Sequence, residues 1–123
     1  MTRKHGSHPK ERKSDEPPIL IIPGSFSDAT SWLESADEGI PMPLQLFERG
    51  FDVWLGNNRG TRYSNRNEHY PEESEERWDF SWAEMGEYDL PAMIQMIELK
   101  TGAPKVTYIG YSMGTTQMFF GLL

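Results

Sequence analysis

Residues 106–116 constrain the fold of this chain more than any other stretch. A run of β-branched and aromatic residues leads into the pattern Gly110-x-Ser112-x-Gly114, and small, polar and then apolar residues follow. This order predicts a strand, a sharp turn and a helix, with Ser112 at the apex of the turn. A serine held there usually has a positive φ, and residues two positions to either side would collide unless they are small. The two glycines meet that requirement.

The same turn gives Ser112 the surroundings that a nucleophile needs. Its hydroxyl would project out of the sheet, and the amide of Met113 would lie at a helix N-terminus, where free N–H groups and the helix dipole favour a developing negative oxygen. The alternative is a plain strand-to-helix turn, since glycine and serine are common in loops. The predicted strand before the motif and helix after it favour the nucleophile.

Residues 19–22 form a continuous apolar run bounded by prolines. Such runs are typical of a parallel strand that is buried on both faces. The turn at residues 23–27 would follow at the carboxyl end of that strand, where open α/β sheets bind their ligands. The amide of Ser25 is therefore a candidate second oxyanion donor, although the stretch would otherwise be read as an ordinary loop.

The remaining pattern alternates helices with strands. A short helix is predicted from Pro43, in its first turn, to Gly50, just past its end, and a second strand over residues 51–55. Residues 81–84 form a capping box that opens a helix. Because strands and helices alternate, the sequence predicts an α/β fold built on a parallel sheet with crossover helices.

The last helix before the serine turn carries a clear apolar face. Pro91 predicts a break near Asp89, which can cap a second helical segment. Gly102 is expected to end that segment. The i, i+3, i+4, i+7 positions of the segment are Leu90, Met93, Ile94 and Ile97, and Met93 and Met96 are both interpreted as core residues.

Composition excludes several classes of function. The chain has 123 residues, a net charge of −7 and no cysteine. Its acidic balance argues against a nucleic-acid partner, and disulfides and thiolate metal sites are excluded. No apolar run approaches the roughly 18 residues of a transmembrane segment, and no hydrophobic signal core is visible at the amino end.

Two polar stretches hold the histidines. Residues 1–16 are predicted to be a flexible lead-in, or the remains of a hairpin, without a site of their own, so that the domain proper spans residues 17–123. His5 and His8 are interpreted as solvated rather than metal-binding. Residues 61–77 form a polar loop with His69 and five glutamates. A cation site there is conceivable, but the spacing of a calcium loop is missing, which favours a solvated surface.

Three blocks of sequence carry a family resemblance. They are Phe-Asp-Val-Trp-Leu-Gly-Asn-Asn-Arg-Gly at residues 51–60, Trp-Asp-Phe-Ser-Trp-Ala-Glu-Met followed by Tyr-Asp-Leu-Pro-Ala within residues 78–92, and Gly-Tyr-Ser-Met-Gly-Thr-Thr-Gln at residues 110–117. With these blocks in order, the chain resembles the acid lipase family of α/β-hydrolases, which includes the gastric and lysosomal acid lipases. The resemblance runs from about Pro18 to the last residue.

The resemblance implies a partial α/β-hydrolase fold that is truncated after the nucleophile turn. It implies that Ser112 forms the acyl-enzyme and that the amides of Met113 and Ser25 hold the oxyanion. Met113 stands where the family more often has glutamine, and Pro23 where it usually has histidine. The implied substrates are neutral lipid esters, such as triacylglycerols or sterol esters, at a lipid–water interface. No cofactor is implied, and the family is typically secreted or lysosomal.

The general base is missing from this pattern. A serine hydroxyl needs a base, and in this fold the acid and the histidine follow the serine along the chain, where this sequence has neither. We therefore expect an amino-terminal portion of a lipase that is inactive alone; His69 is a less favoured substitute base. Two alternatives stay open: a noncatalytic or truncated relative with a binding or regulatory role, and a short-chain esterase or thioesterase.

Overall fold

The computed structural model describes the backbone of Thr2–Arg3 and residues 16–34 and 39–123. Most of the predicted lead-in, including His5 and His8, lies outside the described residues. The boundary between residues 1–16 and 17–123 therefore stays a prediction.

A mixed four-stranded sheet forms the centre of the domain. Its strands are β1 (Thr2–Arg3), β2 (Ile19–Ile22), β3 (Val53–Leu55) and β4 (Thr107–Gly110), in the order β1-β3-β2-β4. β2 pairs in parallel with both β3 and β4, so that Ile19 lies opposite Val53 on one side and Thr107 on the other. The predicted parallel sheet is confirmed. β1 pairs antiparallel with β3, with Thr2 opposite Leu55.

Helices connect the parallel strands. They are α1 (Met42–Glu48), α2 (Trp82–Glu84), α3 (Leu90–Thr101) and α4 (Met113–Gly121), with 3-10 turns at Ala29–Trp32 and Glu75–Trp78 and a π turn at Met85–Asp89. The predicted helix ends are confirmed: Gly50 and Gly102 take positive φ values of 92° and 71° just after α1 and α3. Both hydrogen bonds of the capping box between Ser81 and Glu84 are present. No helix within residues 16–34 and 39–123 is long and apolar enough to span a membrane.

Both faces of the sheet are covered. The core on one face consists of Leu20, Ile22 and Trp54 of the sheet with Leu90, Met93 and Ile97 of α3. The core on the other face consists of Ile19, Ile21, Val53 and Leu55 with Ala29. This double burial explains why the strands have continuous apolar runs instead of alternating ones. It also confirms the predicted apolar face of α3.

Two expectations about α3 are wrong. Asp89 does not cap a second helix, because it is itself helical (φ −69°, ψ −45°) and lies in the π turn, which runs into α3 without a break. The wider turn directly precedes Pro91, so that the helix accommodates this residue although it lacks an N–H donor. Met96 is not a core residue: its side chain is 44% exposed. At about 100° per residue it points away from the stripe of Leu90 and Ile97.

Candidate active site

Ser112 lies at the apex of a strained turn between β4 and α4. Its backbone has φ 52° and ψ −118°, and the residue is exposed. The turn leaves no room for side chains at the flanking glycines. A Cβ on Gly110 would lie 2.8 Å from the backbone of Gly114 and Thr115, and a Cβ on Gly114 would lie 2.9 Å from the carbonyl oxygen of Ile22. The predicted conformation is confirmed, and strain of this kind is concentrated at functional sites.

Hydrogen bonds fix the turn from several sides. The amide of Tyr111 donates to the carbonyl of Ile22 on β2 at 3.2 Å. The hydroxyl of Thr115 donates to the carbonyl of Gly110 at 3.0 Å. The phenol of Tyr108 donates to the carbonyl of Gly114 at 2.5 Å, and burial raises the pKa of that phenol, so that it stays protonated as a donor.

The loop after β2, residues 23–28, packs directly against this turn; we call it the β2 loop. A Cβ on Gly24 would lie 3.2 Å from Cβ of Ser112 and 3.1 Å from the ring of Tyr111, so that only glycine fits without a shift. Ser25 follows Gly24 and is exposed. Next in the loop, Phe26 combines a positive φ of 56° with a fully exposed aromatic ring.

The two candidate oxyanion donors open into one cavity. Ser25 and Met113 both line a cleft of about 640 Å³, which is within the usual size range of small-molecule sites. Neither backbone amide donates to an acceptor within the described residues. The structure therefore brings the predicted donors to the same cavity with their N–H groups available, although their role stays a prediction.

The walls of this cleft are largely aromatic and apolar. We call it the aromatic cleft, and its apolar lining comprises Phe26, Trp78, Phe80, Trp82, Met85 and Met113. Trp78 and Trp82 are 51% and 44% exposed. Such a surface suits a hydrocarbon group, because each Å² of apolar area removed from water contributes about 25 cal/mol of favourable free energy.

Charged side chains lie at the rim of the cleft. Asp28 accepts a hydrogen bond from the amide of Thr30 at 2.8 Å and another from its hydroxyl, and these bonds, together with Arg62, lower the pKa of the Asp28 carboxyl. Arg59 binds Asp89 through its backbone amide at 2.9 Å and through Nε at 2.8 Å. Asp89 thus anchors the end of β3 to the π turn.

Sequence reasoning missed three buried amide side chains at the cleft, of which Asn58 lines it. Asn57 accepts a hydrogen bond from the amide of Ala29 at 2.9 Å, and Asn58 exchanges two hydrogen bonds with Gln117. All three amide side chains are at least 95% buried. The available signal was the pair of asparagines directly after an apolar strand, at the edge of the sheet where sites are built.

The polar loop at residues 61–77 does not contribute to this cleft beyond its first two residues. His69 is exposed, its amide donates to Asn67, and it does not line the aromatic cleft. The five glutamates are exposed as well. Within the described residues, no group of three or more histidine, aspartate or glutamate side chains is arranged to hold a metal ion.

Comparison with known proteins agrees with this architecture. The profile of the α/β-hydrolase fold family matches residues 17–122, and the chain belongs to that family. Among its relatives, rat (Rattus norvegicus) gastric triacylglycerol lipase is 40% identical over 112 residues, which are 91% of this chain and 28% of the lipase. Mouse (Mus musculus) lipase member M is 38% identical over 109 residues, 89% of this chain and 26% of the relative. Triacylglycerol lipase 2 of Arabidopsis thaliana is 44% identical over 99 residues, which are 80% of this chain and 23% of that lipase.

These matches, all to proteins that are named lipases, confirm the resemblance to the acid lipases. The chain spans about a quarter of the length of the relatives that it matches.

Proposed function

We propose that the native protein containing this chain hydrolyses neutral lipid esters, such as triacylglycerols or sterol esters, through an acyl-enzyme at Ser112. The observation that carries the proposal is the position of Ser112: a strained, exposed serine at a strand-to-helix turn, packed against the β2 loop and adjacent in the chain to Met113, which lines the aromatic cleft. This is the arrangement that serine acyl transfer requires.

The proposed chemistry has two balanced halves. Oγ of Ser112 attacks the ester carbonyl carbon while its proton passes to a general base, and the amides of Met113 and Ser25 hold the resulting oxyanion. Collapse of the intermediate breaks the bond to the alcohol, which leaves with that proton. Water then attacks the acyl-enzyme by the same route and releases the fatty acid. No cofactor takes part in these steps.

The general base is proposed to be a histidine outside these 123 residues, oriented by an acid. Within the described residues, the side chain of Ser112 makes no capping hydrogen bond to α4, and His69 does not line the cleft. The exposed position of His69 in the polar loop supports it as a surface residue rather than as the base.

Labelling with a fluorophosphonate tests this proposal. Ser112 would displace fluoride from phosphorus, and the new bond between Oγ and phosphorus would mark the residue for peptide mapping by mass spectrometry. We expect the native full-length protein to be labelled at Ser112 and Ser112→Ala to be unlabelled, with Ser64→Ala, which does not line the cleft, as a control that labels normally. A native protein that hydrolyses esters without any label at Ser112 would refute the mechanism, and a folded protein that neither hydrolyses nor labels would support the noncatalytic alternative.

The aromatic cleft favours a lipase over a short-chain esterase. Its apolar walls offer long acyl chains more surface than a short acyl group can cover. We expect activity on emulsified triacylglycerol to exceed activity on a dissolved short-chain ester at equal ester concentration. Equal or greater activity on the dissolved substrate would favour the esterase.

A further inference from the structure

Two consecutive asparagines at the end of β3 hold both sides of the candidate oxyanion site. Asn57 and Asn58 lie two and three residues beyond the end of the buried strand, at the carboxyl edge of the sheet, and they are only 5% and 3% exposed. Their side chains engage different elements. One binds the segment that follows the β2 loop, and the other binds α4.

Asn57 fixes the far end of the β2 loop. Its Oδ1 accepts the amide hydrogen of Ala29 at 2.9 Å, and Ala29 is the buried first residue of the 3-10 turn that follows the loop. The near end of the loop is fixed by β2, where Ile21 and Ile22 are fully buried. The short stretch that carries Ser25 is therefore anchored at both ends.

Asn58 fixes the start of α4. Its Nδ2 donates to Oε1 of Gln117 at 2.7 Å, and Nε2 of Gln117 donates back to Oδ1 of Asn58 at 3.2 Å. Gln117 is fully buried and lies four residues, about one helical turn, beyond Met113. A reciprocal pair of this kind fixes both the rotation of α4 about its axis and its position along that axis.

Because the two asparagines are adjacent, one short piece of backbone sets the distance between the two anchored elements. We propose that Asn57 and Asn58 are positioning residues that hold the amides of Ser25 and Met113 at the spacing of one oxyanion. This inference rests on the proposed function. An oxyanion hole is effective only when its donors are already about 2.7–3.1 Å from the place where the charge develops, so its accuracy depends on such anchors.

A structural role alone makes a different prediction. If these hydrogen bonds only stabilised the fold, their loss would lower the amount of folded protein and leave each folded molecule fully active. The measurement must therefore be made per active site, and it must respond to the oxyanion hole itself. Comparison of an ester with its thionoester does so, since sulfur is a larger and weaker hydrogen-bond acceptor than oxygen and gains less from a well-aligned hole.

The experiment uses the native full-length protein with Asn57→Ala, Asn58→Ala and the control Asn65→Ala. Asn65 accepts a comparable hydrogen bond from Arg77, at 2.6 Å, but does not line the cleft. Active sites are counted by exhaustive fluorophosphonate labelling, and kcat and KM are measured on a nitrophenyl ester and the matching thionoester. We expect Asn57→Ala and Asn58→Ala each to lose about tenfold to a hundredfold in kcat on the ester, with little change in KM. Their ester-to-thionoester rate ratio should fall, whereas that of Asn65→Ala should equal the wild-type ratio.

Conservative variants keep the test decisive if an alanine variant folds poorly. Asn57→Asp retains the acceptor oxygen, and the exchange Asn58→Gln with Gln117→Asn retains both donor–acceptor pairs at the same summed length. We expect each to recover part of the lost kcat and of the rate ratio. Wild-type ratios in every variant, with losses confined to the number of active sites, would overturn the positioning role alone. A wild-type protein that neither labels at Ser112 nor hydrolyses the ester would overturn the proposed function as well.

Discussion

Asn58 and Gln117 exchange two hydrogen bonds through their side-chain amides, 2.7 Å and 3.2 Å long, across a separation of 59 residues. Both side chains are buried, so neither amide has water as a substitute partner. A buried polar pair of this kind holds its two elements in one arrangement, because every other arrangement leaves polar groups unpaired.

The amide pair predicts strong coupling between its two members. Asn58→Leu and Gln117→Leu should each lower the free energy of unfolding by about 1–3 kcal/mol, since each leaves the partner amide buried without a hydrogen bond. The double variant should lose less than the sum of the two. Chemical denaturation of the four proteins measures this coupling. An exposed amide serves as the control: Asn67→Leu should cost less than either, because water replaces its bonds, and a strictly additive double variant would contradict the prediction.

The strain at Ser112 predicts a gain in stability when the serine is replaced by glycine. Glycine adopts a φ of 52° without the steric cost of a Cβ, and even after its larger entropy loss on folding we expect the free energy of unfolding to rise by about 1 kcal/mol. Ser27→Gly is the matched control, because Ser27 has no positive φ and should lose stability. Denaturant melts of both variants provide the measurement, and equal losses would show that no strain is stored at the turn.

Gly114 should not tolerate a methyl group. Gly114→Ala places Cβ 2.9 Å from the carbonyl oxygens of Ile22 and Pro23, so we expect a loss of about 1–3 kcal/mol and slower fluorophosphonate labelling as the start of α4 shifts. Gly102→Ala meets no atom within 4 Å and should cost about 1 kcal/mol through its positive φ alone, with normal labelling. Thermal melts and labelling time courses distinguish the two, and identical effects in both variants would argue against the close contact.

Asp28 predicts a loss of stability in acid. Its hydrogen bonds with Thr30 favour the carboxylate and hold its pKa in the folded state below the ordinary value of 3.8. The stabilisation is therefore fully present above pH 3.8 and is lost as the pH falls through the lower pKa of the folded state. We expect Asp28→Asn to be less stable than the wild type at pH 7, and the gap to narrow below pH 3.8. Melting temperatures of both proteins, measured from pH 7 to below pH 3.8, test this prediction. A difference in stability that widens in acid would contradict it.

Local signals predicted most of the fold. Continuous apolar runs predicted the strands, and Gly50 and Gly102 predicted the ends of α1 and α3. The capping box at Ser81 predicted the start of α2. Each of these features depends on residues that are close in sequence. The prediction for Asp89 failed because Asp89 is itself helical within the π turn, and its carboxylate binds Arg59 instead of capping α3. The prediction for Met96 failed because its residue type suits a core but its angular position on α3 faces solvent.

The site was predictable only in part. Gly-x-Ser-x-Gly predicts its own turn, since the backbone strain at Ser112 and the lack of room at Gly110 both arise within the turn itself. The walls of the aromatic cleft come from three distant stretches, and nothing local distinguishes Trp82 from a tryptophan of the core. The position of Ser25 after a strand predicts it as an oxyanion donor. Only the tertiary structure brings it to the same cavity as Met113.

By itself, then, the sequence determined the strand–serine–helix turn, the alternation of strands and helices and the resemblance to the acid lipases. The turn and the alternation depend on backbone sterics and periodicity, which act over a few residues, whereas the resemblance rests on the sequence motifs themselves. Only the tertiary structure decided that Gly24 packs on Ser112, and that Asn57 and Asn58 bind the β2 loop and α4. Those contacts join residues far apart in the chain, and a buried amide finds its partner only after the apolar faces of the sheet have packed.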